Sequence, residues 1–537
     1  MFAHVSRFGF FIALFAAVFA SAGAPAARGA EKWFRLKSEN FDMLSCTSQR
    51  ESRELLVKLE QFRATFFRFF PRNRAHYKRP LIVVFDKQKQ FTPYLPASVP
   101  RDVAGIFAEG ALESRIVMLN SAIEQGLYTI FHEYVHSIVS DMGLRLPLFA
   151  NEGLAEAYAT FHVSGDVVRV GYAHSGHVLT LKMHDWLPFG DFFSAGQTSK
   201  YFKEKHLARR FYAQSWLLMH YMVFGRTDGL VTTGKLDKFI SLCENSGTRA
   251  SMSVAGAFKQ AFGLDYQALE AELRDYVSHG RYFTRTFSIP AKPIREKITA
   301  RPATELERDI ELAGLKWQVA KSYQARSRLA QLLESNPGNP RVFEILAGAA
   351  IQQDQFSVAA SPLPDAGQFK RGLADGGHAR NNFPDVRREA DGFLRKAVEN
   401  NSTNPLVYVW LLRSLTLYGQ LLMPDYIAPD YTSEEYRRLV DRALELAPDC
   451  MEACEMLALI EAQSQKPRIK EVNKVLKALP DMREKTKTLF ALASTYKRLG
   501  DHESAAAALN RLLADPKATD IEKRNARGLL SEVATTF

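Results

Sequence analysis

The sequence predicts an α+β domain followed by an all-α domain of helical repeats. Three observations carry this. Short, branched, strand-like runs, Leu81 to Phe85 (LIVVF) and Arg115 to Leu119 (RIVML), lie in the first half. Beyond about residue 303, strand signals vanish and Ala- and Leu-rich patterns of helix length take over. Turn-like segments then recur, at Leu332 to Pro340 (LLESNPGNP), Ala397 to Pro405 (AVENNSTNP) and Ala443 to Pro448 (ALELAP).

The chain has 537 residues, 46% hydrophobic and 24% charged, which is ordinary globular composition and room for two to four domains. Residues 1–26 read as a secretory signal peptide. Arg7 precedes the apolar run Phe8 to Ala24, and Ala24-Pro25-Ala26 offers a cleavage site. The rival reading is an uncleaved anchor. After cleavage no membrane span is expected, and the address is a bacterial periplasm or the exterior. The formal charge of +11 comes from 70 basic and 59 acidic residues that are spread out. The tightest basic group, Arg68 to Arg79, is too short for a binding patch, so the charge is read as solubility and no nucleic-acid partner is expected. Cys46, Cys243, Cys450 and Cys454 are expected to be mostly free, buried thiols.

Residues 31–289 form the first domain. Ser52 to Phe70 is a helix candidate with apolar residues at Leu55, Leu56, Leu59 and Phe62. Residues 290–303 read as a linker, because Pro290, Pro293 and Pro302 fall among mixed charges. Residues 304–537 form the helical domain. Pro448, Pro480 and Pro516 stand 32 and 36 residues apart. Leu492 to Leu512 (LASTYKRLGDHESAAAALNRL) resembles a tetratricopeptide repeat, with Ala493, Tyr496, Gly500, Ala505 and Leu509 at its small and large positions. Ser361 to Arg387, rich in Gly, Pro and Asp, reads as an insertion between degenerate repeats. Stacked helix pairs would leave a concave surface for a protein partner.

The chemistry centres on Ser121 to Gly143 (SAIEQGLYTIFHEYVHSIVSDMG). Ser121 and Glu124 make a capping box, and Gly143 suits the C-cap. Within lies HEYVH: His132 and His136, four apart, share one helix face and can point at one metal ion. Glu133 can reach a metal-bound water as general base. In a chain with 13 histidines, a chance H-E-x-x-H arises about 0.02 times. A second helix follows Pro147, reading ANEGLAEAYAT from Ala150. Its Glu152 can complete two His and one Glu with an open fourth position, the arrangement of a catalytic zinc site. Glu156, one turn on, can fix the tautomer of a ligand imidazole.

HEYVH followed by NEGLAE resembles the gluzincin metallopeptidases, the group of thermolysin and aminopeptidase N, and is most similar to the bacterial peptidase-MA-like group. The resemblance runs from about Trp33 to Phe287. It implies a zincin-like fold, one zinc ion per chain held by His132, His136 and Glu152, and Glu133 as base. Tyr212, in Tyr212-Ala213-Gln214-Ser215, resembles the Tyr of the aminopeptidase Y-x-K-G element, which steadies the tetrahedral intermediate, with Gln-Ser in place of Lys-Gly. Gly110 to Ser114 (GALES) resembles the G-A-M-E-N loop, which implies a substrate-binding role for Glu113. His174 and His177 (VGYAHSGH) lie in a Gly-rich stretch that can border the cleft, and are read as exposed or hydrogen-bonded loop histidines rather than residues with a role, while His162, His184, His206 and His220 carry no motif.

The expected function is an exported zinc peptidase acting on a peptide or protein substrate, with a repeat domain that docks a partner or presents substrate. The alternative is a periplasmic scaffold that acts through its repeats and keeps a structural or vestigial metal site.

Overall fold

A computed structural model describes residues 32–69, 79–96, 103–120, 123–141, 146–196, 199–225, 254–320, 323–359, 384–415, 432–464, 466–478, 486–515 and 520–534, with a few single positions between them. Residues 1–26, read as a signal peptide, the Ser121 cap, Gly143, Cys243 and most of 361–387, read as an insertion, lie outside the described residues.

The first half is a mixed α/β unit built on a six-stranded sheet. Its strands are β1 (Phe34–Lys37), β2 (Asp42–Ser45), β3 (Leu81–Phe85), β4 (Gly105–Ala108), β5 (Arg115–Leu119) and β9 (Thr299–Pro302), in the order β4-β5-β3-β2-β1-β9. β2, β3 and β5 run parallel, while β4, β1 and β9 pair antiparallel with their neighbours. The two runs read as strands are β3 and β5, with every residue buried. Alternation explains why: Ile82 and Val84 face one core, and Leu81, Val83 and Phe85 face another. The first core holds the helices Gln49–Phe69, Ile123–Asp141, Leu148–Ala159 and Lys205–Val223. A smaller antiparallel sheet, β6 (His162–Ser164), β7 (Val167–Val170) and β8 (Arg285–Ser288), flanks this layer.

The segment 290–303, expected as a linker, is part of the sheet. Ala291–Lys297 is a helix, and β9 pairs with β1 from Phe34↔Pro302 to Lys37↔Thr299. All three prolines stand where an N–H is dispensable. Pro290 is an N-cap, Pro293 lies in the first helical turn and Pro302 ends an edge strand. Proline content therefore signalled tolerated positions rather than a break between domains.

From residue 305 onward the described residues are all helix and turn. The turns read at 332–340, 397–405 and 443–448 each join two helices. Asn401, in the left-handed region at φ 58°, closes the helix Pro384–Glu399 while Ser402 N donates to Ala397 O at 2.9 Å. Thr486–Arg498 and His502–Ala514 form a helical hairpin around Gly500 (φ 76°), and Ala493, Ala505 and Leu509 are fully buried between them. Among the described residues no helix is long and apolar enough to cross a membrane. Cys46, Cys450 and Cys454 are free thiols.

The two halves share a seam. Leu315 and Val319 of the helix Glu305–Ala320 cover the second face of the sheet, which a central parallel strand requires. Leu112, between β4 and β5, is buried in the core of the helical half. Around it Gln318 donates to Ala108 O (3.0 Å), Gln352 to Glu109 O (2.6 Å) and Asn404 to Leu112 O (3.2 Å). Arg341 pairs with Glu311 (2.9 Å), Glu344 (2.9 Å) and Glu113.

Candidate metal centre

The HEYVH helix is Ile123–Asp141, lying against β4, β5 and the helix Leu148–Ala159. Its apolar face anchors it. Phe131 stacks on Phe62 with ring centroids 4.3 Å apart, and Tyr134 packs on Phe41 at 5.1 Å. The opposite face of the same helix carries His132, Glu133 and His136. The Leu148–Ala159 helix brings Glu152 across, with Pro147 as its N-cap. Close approach of this helix to Lys205–Val223 depends on Gly153, which leaves no room for a side chain against Ser215.

His132, His136 and Glu152 form a group able to hold a metal ion. Both imidazoles turn Nε2 to a common centre. The two Nε2 atoms are 3.1 Å apart, and Glu152 Oε2 lies 3.6 Å from that of His132 and 3.5 Å from that of His136. Four-coordinate bonds of ~2.0–2.1 Å set ligand atoms about 3.3 Å apart, so the three positions suit one ion. The ring nitrogens facing outward have acceptors: His136 Nδ1 meets Asn151 Oδ1 at 3.2 Å, and His132 Nδ1 meets Glu156 Oε1 at 3.5 Å. Such contacts at Nδ1 direct Nε2 toward the common centre as the ligand atom.

Unmet polar atoms support the same fit. Glu152 is 1% exposed, and neither of its oxygens has a hydrogen-bond partner among the described residues. Glu133 Oε1 is also buried and unpartnered. A buried carboxylate short of well-formed hydrogen bonds is costly, and a cation removes that cost.

The electrostatics follow from burial and crowding. Burial lifts the Glu133 carboxyl to about 7 against the pull of His132 and His136. Burial opposes charge on His132, yet Glu152, Glu156 and Glu133 together raise its imidazole to about 9. Burial would likewise raise Glu152 and Glu156, but the neighbouring histidines win. Glu152 is held below its ordinary value, and Glu156 is brought to about 2 by His177, His132 and Tyr128. Burial, then the charges of Glu152, Glu156 and Glu133, keep the Tyr212 phenol well above its usual range and therefore a proton donor.

Thus His132, Glu133, His136, Glu152, Glu156 and Tyr212 come together. Glu113 stands apart, at the seam. Its carboxylate is paired with Arg115 (3.1 Å) and with Arg341, which a local reading of GALES had no means to foresee. The Gln-Ser departure after Tyr212 has structural work instead. Gln214 accepts from Leu187 N (2.6 Å) and donates to Leu187 O (3.1 Å), and the Ser215 carbonyl lies against Gly153. His220 is a core histidine between Gly171 O (2.7 Å) and the Tyr276 hydroxyl (3.2 Å), and burial pushes it down to about 4.

Three residues were missed. Asn151 was legible only as the Asn of NEGLAE. Tyr128 precedes His132 by four residues and shares its face. His177 is hydrogen-bonded, one of the expectations for it, but not in a loop: Ser175–Met183 is a helix with His174 as N-cap, and His177 Nε2 reaches Glu156 Oε2 at 2.9 Å.

No protein-family profile, curated protein or solved structure matches the chain.

Proposed function

We propose that the protein is an exported zinc-dependent peptidase of gluzincin type, with a tetratricopeptide-like helical half that engages a protein partner or substrate. The observation that carries this reading is the convergence of two Nε2 atoms and the buried carboxylate of Glu152 beside a second buried carboxyl, Glu133. His132, His136 and Glu152 hold the ion. Zinc there supplies a Lewis acid and lowers the pKa of water toward neutrality.

Glu133 handles the proton. Buried beside the two imidazoles, it accepts a proton at Oε1 as water adds to the peptide carbonyl, and returns it to the leaving amine. Tyr212, kept protonated, donates to the oxygen on which negative charge develops. Glu113 is committed to two guanidiniums, so among the described residues it is not the group that would hold a substrate's free amine, and the reading here is an endopeptidase or a narrower activity.

The test is zinc per chain, by elemental analysis of the mature wild type beside Glu152→Ala. We expect about one equivalent in the wild type and loss in the variant. A wild type that takes up no zinc after reconstitution would overturn this reading and leave the helical array as the working part.

A further inference from the structure

We propose that His177 is a positioning residue of the metal site: through Glu156 it sets the orientation and basicity of the His132 imidazole. The inference rests on the metal-site reading above and deepens it.

Glu156 is the hub. Its Oε1 lies 3.5 Å from His132 Nδ1. Its Oε2 accepts from His177 Nε2 at 2.9 Å and from the Tyr128 hydroxyl. A carboxylate has acceptors only, so His177 presents Nε2–H and Tyr128 its O–H. Two donors on one oxygen remove the freedom of the carboxylate to swing. The second oxygen is left aimed at the outward nitrogen of His132, which is how a carboxylate fixes the tautomer of a ligand histidine.

His177 is itself held. Its backbone N donates to His174 Nδ1 at 3.1 Å, and the two rings lie 4.0 Å apart. Trp216, fully buried, flanks the His177 ring at 5.8 Å, and Tyr128 lies 5.3 Å from the His174 ring. Trp216 sits one turn after Tyr212 on Lys205–Val223. A chain of contacts therefore runs from that helix through His177 and Glu156 to the ligand His132. A histidine serving only the core would not need its ring nitrogen on the carboxylate that faces a metal ligand.

The test measures zinc affinity by chelator competition, and the visible spectrum of the cobalt-substituted full chain. Wild type, His177→Ala, His177→Gln and Tyr128→Phe are compared. Removing an outer partner of a ligand histidine typically weakens metal binding by about 10–100-fold. We expect that loss and an altered cobalt spectrum in His177→Ala, a smaller loss in Tyr128→Phe, and recovery toward wild type in His177→Gln, whose amide still donates. Should His177→Ala fail to fold, as judged by circular dichroism, His177→Met, which keeps bulk but cannot donate, takes its place, and the criterion below applies to whichever of these two folds. Affinity within twofold of wild type with an unchanged cobalt spectrum would overturn the role of His177 while leaving the metal site standing. A wild type that binds neither ion would overturn the metal site itself.

Discussion

Gly153 lies against the Ser215 backbone: a Cβ on Gly153 would come 2.3 Å from the Ser215 carbonyl oxygen and 2.5 Å from Met219 Cγ. The neighbour of Glu152 in sequence is thus the contact point of two helices. Gly153→Ala forces them apart, at a cost of about 1–3 kcal/mol for overpacking, and shifts Glu152 away from the two imidazoles. We expect a lower thermal midpoint together with reduced zinc content. An unchanged midpoint would mean the helices separate freely.

Glu133→Gln keeps the size of the side chain and removes the base. Zinc content is expected to match wild type while peptide hydrolysis falls by at least about 100-fold, the usual contribution of a positioned base. Turnover at the wild-type rate on any substrate the wild type cleaves would rule out the mechanism.

Zinc uptake should depend on pH through His132, whose imidazole holds its proton up to about 9 in the metal-free protein. Binding must displace that proton. Affinity is then expected to climb about tenfold per unit between pH 7 and 9, and to level off above. In the metal-free fold the same proton stabilises: its contribution is whole below the ordinary imidazole value of 6.5 and is lost as pH rises through about 9. Calorimetry in buffers of different ionisation enthalpy counts the released proton, and none released at pH 7 would contradict the assignment.

Arg341 holds together two carboxylates from different halves, Glu113 and Glu311. Arg341→Ala leaves both buried with less compensation, a change that typically costs about 3–5 kcal/mol. Denaturant unfolding of the full chain should show the first transition moved to lower concentration. Wild-type unfolding would mean Arg115 and Arg35 suffice.

A fragment of residues 31–289 should not behave as an independent domain. It lacks β9, which leaves β1 as an open edge, and it lacks Leu315 and Val319, which cover the sheet. Size-exclusion chromatography is expected to show aggregate. A monodisperse fragment would mean the sheet is self-sufficient.

The sequence by itself determined the elements with strong local signals. LIVVF and RIVML are strands because short branched runs flanked by polar residues have few other uses. His132 and His136 share a face because four residues make one helical turn. The turns at Asn401 and Gly500 declare themselves because those residue types tolerate positive φ. The tertiary structure decided what depends on long separations. It turned the proline-bearing segment into the sheet's edge strand, 268 residues from its partner (Phe34↔Pro302). It placed Arg341 on Glu113 across 228 residues, and His177 on Glu156 across 21. Periodicity reports which way a side chain faces along its own helix or strand. It carries no information about which distant element will meet that face, so the candidate metal ligands and Glu156 were legible while Tyr128 and His177, which meet Glu156, were not.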